Sequence, residues 1–202
     1  MRQLWIAAAL AMTLAACGQG ADGPPLPPVK AGATPPSTQS AASPTEQVTV
    51  SDEVRQQLIT QMGEQLGQLQ SANAPNYSPV GADTIVPMQP GRDHRFIVSL
   101  NGGTEYGFIG TCDGDCSNVD LELIDMNTGG VVGNDMLPDN YPIFPFTPPA
   151  NGQYMVRLLM QACTQAPCFA GVRVVSNAPQ AAAPAPGATT GGGGTGGTPG
   201  KP

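Results

Sequence analysis

The spacing of polar and apolar positions changes twice along the chain. Over "SDEVRQQLITQMGEQLGQL", Ser51 to Leu69, the apolar residues Val54, Leu58, Met62, Leu66 and Leu69 recur at helical spacing. This predicts one amphipathic helix within 48–72. Ser51 is placed as its N-cap, and Asp52 and Glu53 suit the positive end of its dipole. Gly63 and Gly67 weaken it, by roughly 1 kcal/mol each if exposed. A helix this short is marginal alone, so its stripe needs a cover. Docking on the chain's own sandwich, self-association and a partner surface all satisfy that need.

From Thr84 onward the period is two. Phe96, Val98 and Leu100 alternate with Arg95, Ile97 and Ser99. Tyr106 and Phe108 open the next strand after the turn Asn101-Gly102-Gly103. Val119, Leu121 and Leu123 face one way, Asp120 and Glu122 the other. "NTGG" at Asn127–Gly130 is a hairpin turn leading to Val131 and Val132. Pro142 and Pro145 confine Ile143, Phe144 and Phe146 to a sheet edge. Tyr154, Val156, Leu158 and Met160 alternate inward, and Phe169–Val175 closes the set. Short antiparallel strands at turn spacing predict an all-β fold over 80–177, a jelly roll or β-sandwich, with the helix before it.

The ends of the chain have no such period. After Arg2 an uncharged run from Leu4 to Ala16 reads as a signal segment, 1–16. It ends Leu14-Ala15-Ala16-Cys17, which resembles the bacterial lipobox. That resemblance implies acylation of Cys17, and Gly18 after it implies the outer membrane rather than the inner one. The anchor would take the place of a transmembrane helix. Residues 17–47 are rich in Pro and Ala and read as a semi-extended tether. Residues 178–202, ending "GGGGTGGTPGKP", read as a disordered tail.

Charge narrows the partners. The net charge is -7, and no Lys or Arg occurs between Arg95 and Arg157. Glu105, Asp113, Asp115, Asp120, Glu122, Asp125, Asp135 and Asp139 all fall in that gap. Nucleic acid, which needs basic residues, is not expected. A cationic partner, a metal or a plain solvated surface fits better.

The densest stretch is "CDGDCSNVDLELID", Cys112 to Asp125. In an exported chain disulfides are the default, and the local pairs are Cys112–Cys116 and Cys163–Cys168. An all-cysteine zinc site is the competing use, though export favours oxidation. No Cys-x-x-Cys supports redox chemistry. The stretch reads first as a stapled turn leading into a strand. Its second reading is a calcium loop, with oxygens from Asp113, Asp115, Ser117 and Asp120. Asp135 and Asp139 could complete such a site if their loop folds back alongside. An EF-hand is excluded, because its glycine and glutamate positions hold Asn118 and Ile124.

"GFIGTCDGDCSNVDLELID", "NDMLPDNYP", "TPPANGQYMVRLLMQAC" and "PCFAGVRVV" resemble a bacterial pre-peptidase C-terminal domain of the cysteine-bearing type, over about Asp93 to Val175. The resemblance implies a jelly-roll sandwich that accompanies exported enzymes without being catalytic. Some relatives bind calcium or polymeric substrates. The pattern is departed from at Asn118 and Asn140, where acidic residues are expected.

Catalytic signatures are sparse. The lone histidine, His94, opens a strand, and Trp5 lies in the signal segment. The sequence shows no Gly-x-Ser-x-Gly elbow, no His-Glu-x-x-His and no phosphate loop. The expectation is a non-enzyme: a lipid-anchored envelope module that binds or scaffolds an envelope protein or polysaccharide. The alternative is a calcium-dependent accessory domain, or a small hydrolase or inhibitor-like factor acting through the acidic loops.

Overall fold

The computed structural model describes residues 22–39 and 44–178. The signal segment, Cys17 and the tail beyond Ala178 lie outside the described residues. In chain order the elements are β1 (Glu46–Gln47), α1 (Asp52–Asn73), β2 (Ser78–Pro79), β3 (Thr84–Met88), β4 (Arg92–Leu100) and β5 (Tyr106–Cys112). Then come β6 (Cys116–Asp125), β7 (Val131–Asp135), β8 (Ile143–Phe146), β9 (Gly152–Cys163), β10 (Gln165–Ala166) and β11 (Cys168–Ser176).

Two antiparallel sheets face each other, as the period-two pattern predicts. One runs β4-β9-β6-β7; the other runs β2-β11-β5-β8, with β3 also on β11. β1 and β10 add a short parallel pair. Val119, Leu121 and Leu123 from β6 and Val156, Leu158 and Met160 from β9 fill the space between the sheets. They meet Phe108 from β5 and Val172 and Val174 from β11. Phe108 stacks on Phe144 of β8 with ring centroids 5.1 Å apart. β8 is an edge strand, where its prolines cost no ladder bonds. Gly129 turns the β6–β7 hairpin at φ +70°, a conformation that side chains resist.

The helix docks on its own sandwich. Ser51 Oγ accepts the Val54 N–H at 3.3 Å, capping the first turn. Met62 and Leu66 are buried, and Leu66 packs with Ile109 of β5 and Val175 of β11. Arg173 of β11 fixes the angle. It donates to both Asp83 oxygens at 2.8 and 2.7 Å, to the Gln70 side chain and to the Gly63 carbonyl. Only the stripe's first residue, Val54, stays uncovered, at 46% exposure. No described helix is long and apolar enough to cross a membrane.

The 17–47 tether expectation needs correction. Residues 22–39 form a strap over the outside of the β4-β9-β6-β7 sheet. Asp22 forms a parallel bridge with His94, and its carbonyl accepts the Arg95 N–H at 2.8 Å. The chain then crosses to the β6–β7 hairpin, where Lys30 donates to the Thr128 carbonyl and Val131 to the Thr34 carbonyl. It returns through Ser37 to Gln39, whose amide donates to the carbonyls of Arg92 and Met160.

The physical reason lies beneath it. Ile124 pairs with Met155 across β6 and β9, and both face outward with Leu159, yet all three are fully buried. Leaving them exposed would cost about 1.5–3 kcal/mol each. Among the described residues the proline-rich strap bonds its own backbone only at Ala33 N–H to the Lys30 carbonyl, so the rest of its groups are free to bond the sheet. Under the strap lies an ion network. Arg157 donates to Asp93 and, at 2.9 Å, to Glu122, while Arg95 holds Asp93 at 3.0 and 3.1 Å.

Candidate functional site

The cysteine stretch resolves first. Cys112–Cys116 and Cys163–Cys168 are both disulfides, with Cα separations of 5.9 and 6.1 Å. Cys116 lies directly opposite Cys163, so the two staples sit side by side at one end of the sandwich. Asp113 clamps this end: its Oδ2 accepts the Phe169 N–H at 2.7 Å, and its own N–H donates to the Phe169 carbonyl. Burial raises the Asp113 pKa above its ordinary value, and the neighbouring Asp115 adds to that.

The four oxygens expected to hold calcium do not converge. Asp113 is turned to Phe169, while Asp115 and Ser117 are exposed. Asp120 faces outward on β6, where its Oδ2 accepts the Gln161 amide at 2.6 Å. The β7–β8 loop does fold back alongside β6, and the Asp139 carbonyl accepts the Val119 N–H. However, both Asp135 oxygens and one Asp139 oxygen are engaged within that loop. Burial raises the Asp120 pKa, and the charges of Asp135, Glu122 and Asp139 push the same way. Asp113 Oδ1, Asn118 Oδ1 and Asp120 Oδ1 are buried without a partner. Even so, among the described residues no three His, Cys, Asp or Glu groups gather where a metal could sit. The expected calcium set does not fit.

His94 tilts against Phe96 with centroids 6.2 Å apart. Burial lowers its pKa, opposed by Asp22 and Asp93.

The concave features lie elsewhere. A cleft of about 540 Å³ opens between the β6–β7 and β8–β9 turns. Two of its polar side chains are already committed to neighbouring turns. Asp125 accepts from the Asn127 N–H and the Thr128 hydroxyl, and Asn151 accepts from the Gly102 N–H.

A second groove, about 370 Å³, lies between α1 and the β7–β8 loop. Leu69 and Ala72 supply its apolar wall. Gln65, Gln68 and Asn140 bring amides, Thr111 a hydroxyl and Tyr141 a ring. Thr111 donates to Gln65 Oε1 at 3.4 Å, which leaves the amide N–H groups of Gln65 to the groove. The side chains of Gln68 and Asn140, both in its lining, accept and donate no hydrogen bond within the described residues.

The loop that carries Tyr141 is stiff. Asp135 accepts the Leu137 and Ile143 N–H groups, and Asp139 Oδ1 accepts the Tyr141 N–H at 3.0 Å. Pro138 and Pro142 restrict it further. It holds Leu137 and Tyr141 outward at 62% and 53% exposure. Sequence reasoning did not single out this groove. The only local signal was an aromatic set between two prolines, "LPDNYP".

No protein-family model matches the chain, and no curated protein sequence matches it. Two solved structures share part of its shape. A periplasmic inhibitor of g-type lysozyme from Aeromonas hydrophila is 9% identical, covers 50% of this chain and 85% of its own, and gives a TM-score of 0.31. A carbohydrate-binding module in complex with calcium and xylotriose is 13% identical, covers 50% of this chain and 93% of its own, and gives 0.26. Neither likeness bears on a site residue.

Proposed function

We propose that this chain is a non-catalytic, lipid-anchored binding module of the outer membrane, working through the face around Tyr141. The observation that carries the reading is the exposed, braced loop with Leu137 and Tyr141 beside a groove lined by the amides of Gln65, Gln68 and Asn140. The outer faces of both sheets are otherwise occupied, one by the strap and one by α1. A binding surface gains affinity when its contact residues are ordered beforehand. A hydrolase would instead place its perturbed carboxylates in a cleft. Here Asp113 is tied to a backbone N–H and Asp120 to an amide.

Cys17 is the anchor in this reading, on the strength of Leu14-Ala15-Ala16-Cys17. Asp22, which bridges to His94, is five residues further on. That span reaches at most roughly 17 Å, so the domain would stand close to the bilayer. A pre-peptidase C-terminal-like ancestry fits the same role.

The test is fractionation followed by binding. Wild-type chain should sediment with membranes, and Cys17→Ser should become soluble. The soluble variant should then bind isolated envelopes saturably. Unchanged sedimentation of Cys17→Ser with detergent-washed lipid would sink the anchor; no saturable envelope binding would sink the module.

A further inference from the structure

We infer that the groove between α1 and the β7–β8 loop takes a neutral, hydroxyl-rich glycan chain. The inference rests on the binding-module reading and names the ligand class for that same site.

The lining chooses the ligand. None of the residues around the groove carries a charge. An anionic polymer would meet a chain of net charge -7 and a loop bearing Asp135 and Asp139. A cationic one would want a carboxylate in the wall, and the loop's carboxylates are turned to backbone N–H groups instead. What the groove offers is amide. Each Gln or Asn side chain both donates and accepts, which matches hydroxyls that do the same. The Gln68 and Asn140 side chains have no hydrogen-bond partner among the described residues, and the Gln65 amide has its N–H groups to spare.

Tyr141 completes the match. Half of its surface is exposed, and its backbone is pinned by Asp139. A fixed aromatic face can stack on the C–H face of a sugar ring while its hydroxyl reaches a polar neighbour. At about 370 Å³ the groove holds a sugar unit or two, near the lower end of small-ligand sites, roughly 300–1,000 Å³.

The experiment uses the soluble Cys17→Ser chain. It is titrated by NMR and calorimetry with cellohexaose, with the β-1,4-linked N-acetylglucosamine hexamer and with polygalacturonate. At least one neutral hexamer should bind, with a dissociation constant on the order of 0.1–1 mM. The side-chain amides of Gln65, Gln68 and Asn140 should shift. Tyr141→Ala should weaken binding about tenfold, the loss of one aromatic contact, with its melting curve unchanged because the ring is exposed. Gln153→Ala, in the other cleft, should leave affinity intact. Polygalacturonate should not bind. No binding of either neutral hexamer up to about 10 mM, or binding indifferent to Tyr141→Ala, overturns the inference. If both hexamers fail while Tyr141→Ala still abolishes envelope binding, the ligand is a protein; the glycan falls and the module stands.

Discussion

The Ser37 N–H donates to the Glu122 carboxylate at 3.0 Å, across 85 positions of sequence. The Ser37 carbonyl accepts from Arg157, which also holds Glu122. One strap residue thus closes the hydrogen-bonding of a fully buried carboxylate and its guanidinium partner. Buried charges persist only when paired and bonded in this way.

Removing the centre of that network should be severe. Arg157→Met strips the fully buried Glu122 of its guanidinium and leaves Asp93 to Arg95 alone, so unfolding stability should fall by about 3–5 kcal/mol. Ser37→Pro removes one N–H from Glu122 while leaving Arg157, and should cost only about 1–3 kcal/mol. Urea unfolding measures both. Limited proteolysis should cut the Arg157→Met variant within 22–39 before the sandwich is touched. Equal, small effects would mean that the strap does not depend on the ion network.

The acid limb of stability has a defined shape. Burial pulls the Asp93 pKa up, but hydrogen bonds and charge from Arg95 and Arg157 outweigh it and hold it below 3.8. A carboxyl lowered in the fold stabilises above its unfolded value and loses that as pH falls through the folded one. Asp113 and Asp120 are raised above 3.8, chiefly by burial, so their protonation favours the fold as pH falls through their raised values. His94, lowered by burial, opposes this by losing stability as pH falls through its ordinary value. Urea midpoints should therefore rise only as pH falls through the raised values of Asp113 and Asp120, and then drop as it falls toward the lowered value of Asp93. Asp113→Asn with Asp120→Asn should flatten the climb, and Asp93→Asn should blunt the fall. A pH profile that Asp113→Asn with Asp120→Asn leaves unchanged would contradict the assignment.

The helix glycines should differ. A Cβ at Gly63 meets only Asp83 Oδ2, at 3.9 Å, whereas one at Gly67 meets Arg173 Nη1 at 3.3 Å. Gly63→Ala should stabilise by about 0.5–1 kcal/mol through helix propensity. Gly67→Ala should gain less or lose, because it crowds the guanidinium that ties α1 to β11. Thermal melts of the two variants decide this.

The staples close short loops, separated by 4 and 5 positions. Each should contribute about 2 kcal/mol in the loop-entropy picture. Cys112→Ser with Cys116→Ser should lower stability by that amount without unfolding the chain. Loss of Cys116 alone should leave an unpaired, buried thiol at Cys112.

The sandwich was legible because inward and outward positions alternate so plainly on β4 and β6. The helix was legible in its stripe and cap, but not in its partner. The strap was misread because proline-rich sequence has no period to show what it covers. Its signal sat on β9: "YMVRLLM", Tyr154–Met160, is apolar at both phases except Arg157. A strand with that pattern is buried on both faces. The Tyr141 groove was invisible for a different reason. Its walls come from Gln65–Ala72 and Asn140–Tyr141, segments far apart in sequence that meet only when α1 docks.

The central claim is that the chain binds the envelope through the face that Leu137 and Tyr141 present. The direct measurement is co-sedimentation of the soluble Cys17→Ser chain with isolated envelopes, with and without Leu137→Ala and Tyr141→Ala together. Both side chains are more than half exposed, so the variant should keep its fold. The account predicts saturable binding that drops at least tenfold in the double variant, while Gln153→Ala binds as wild type. Undiminished binding by the double variant would contradict it.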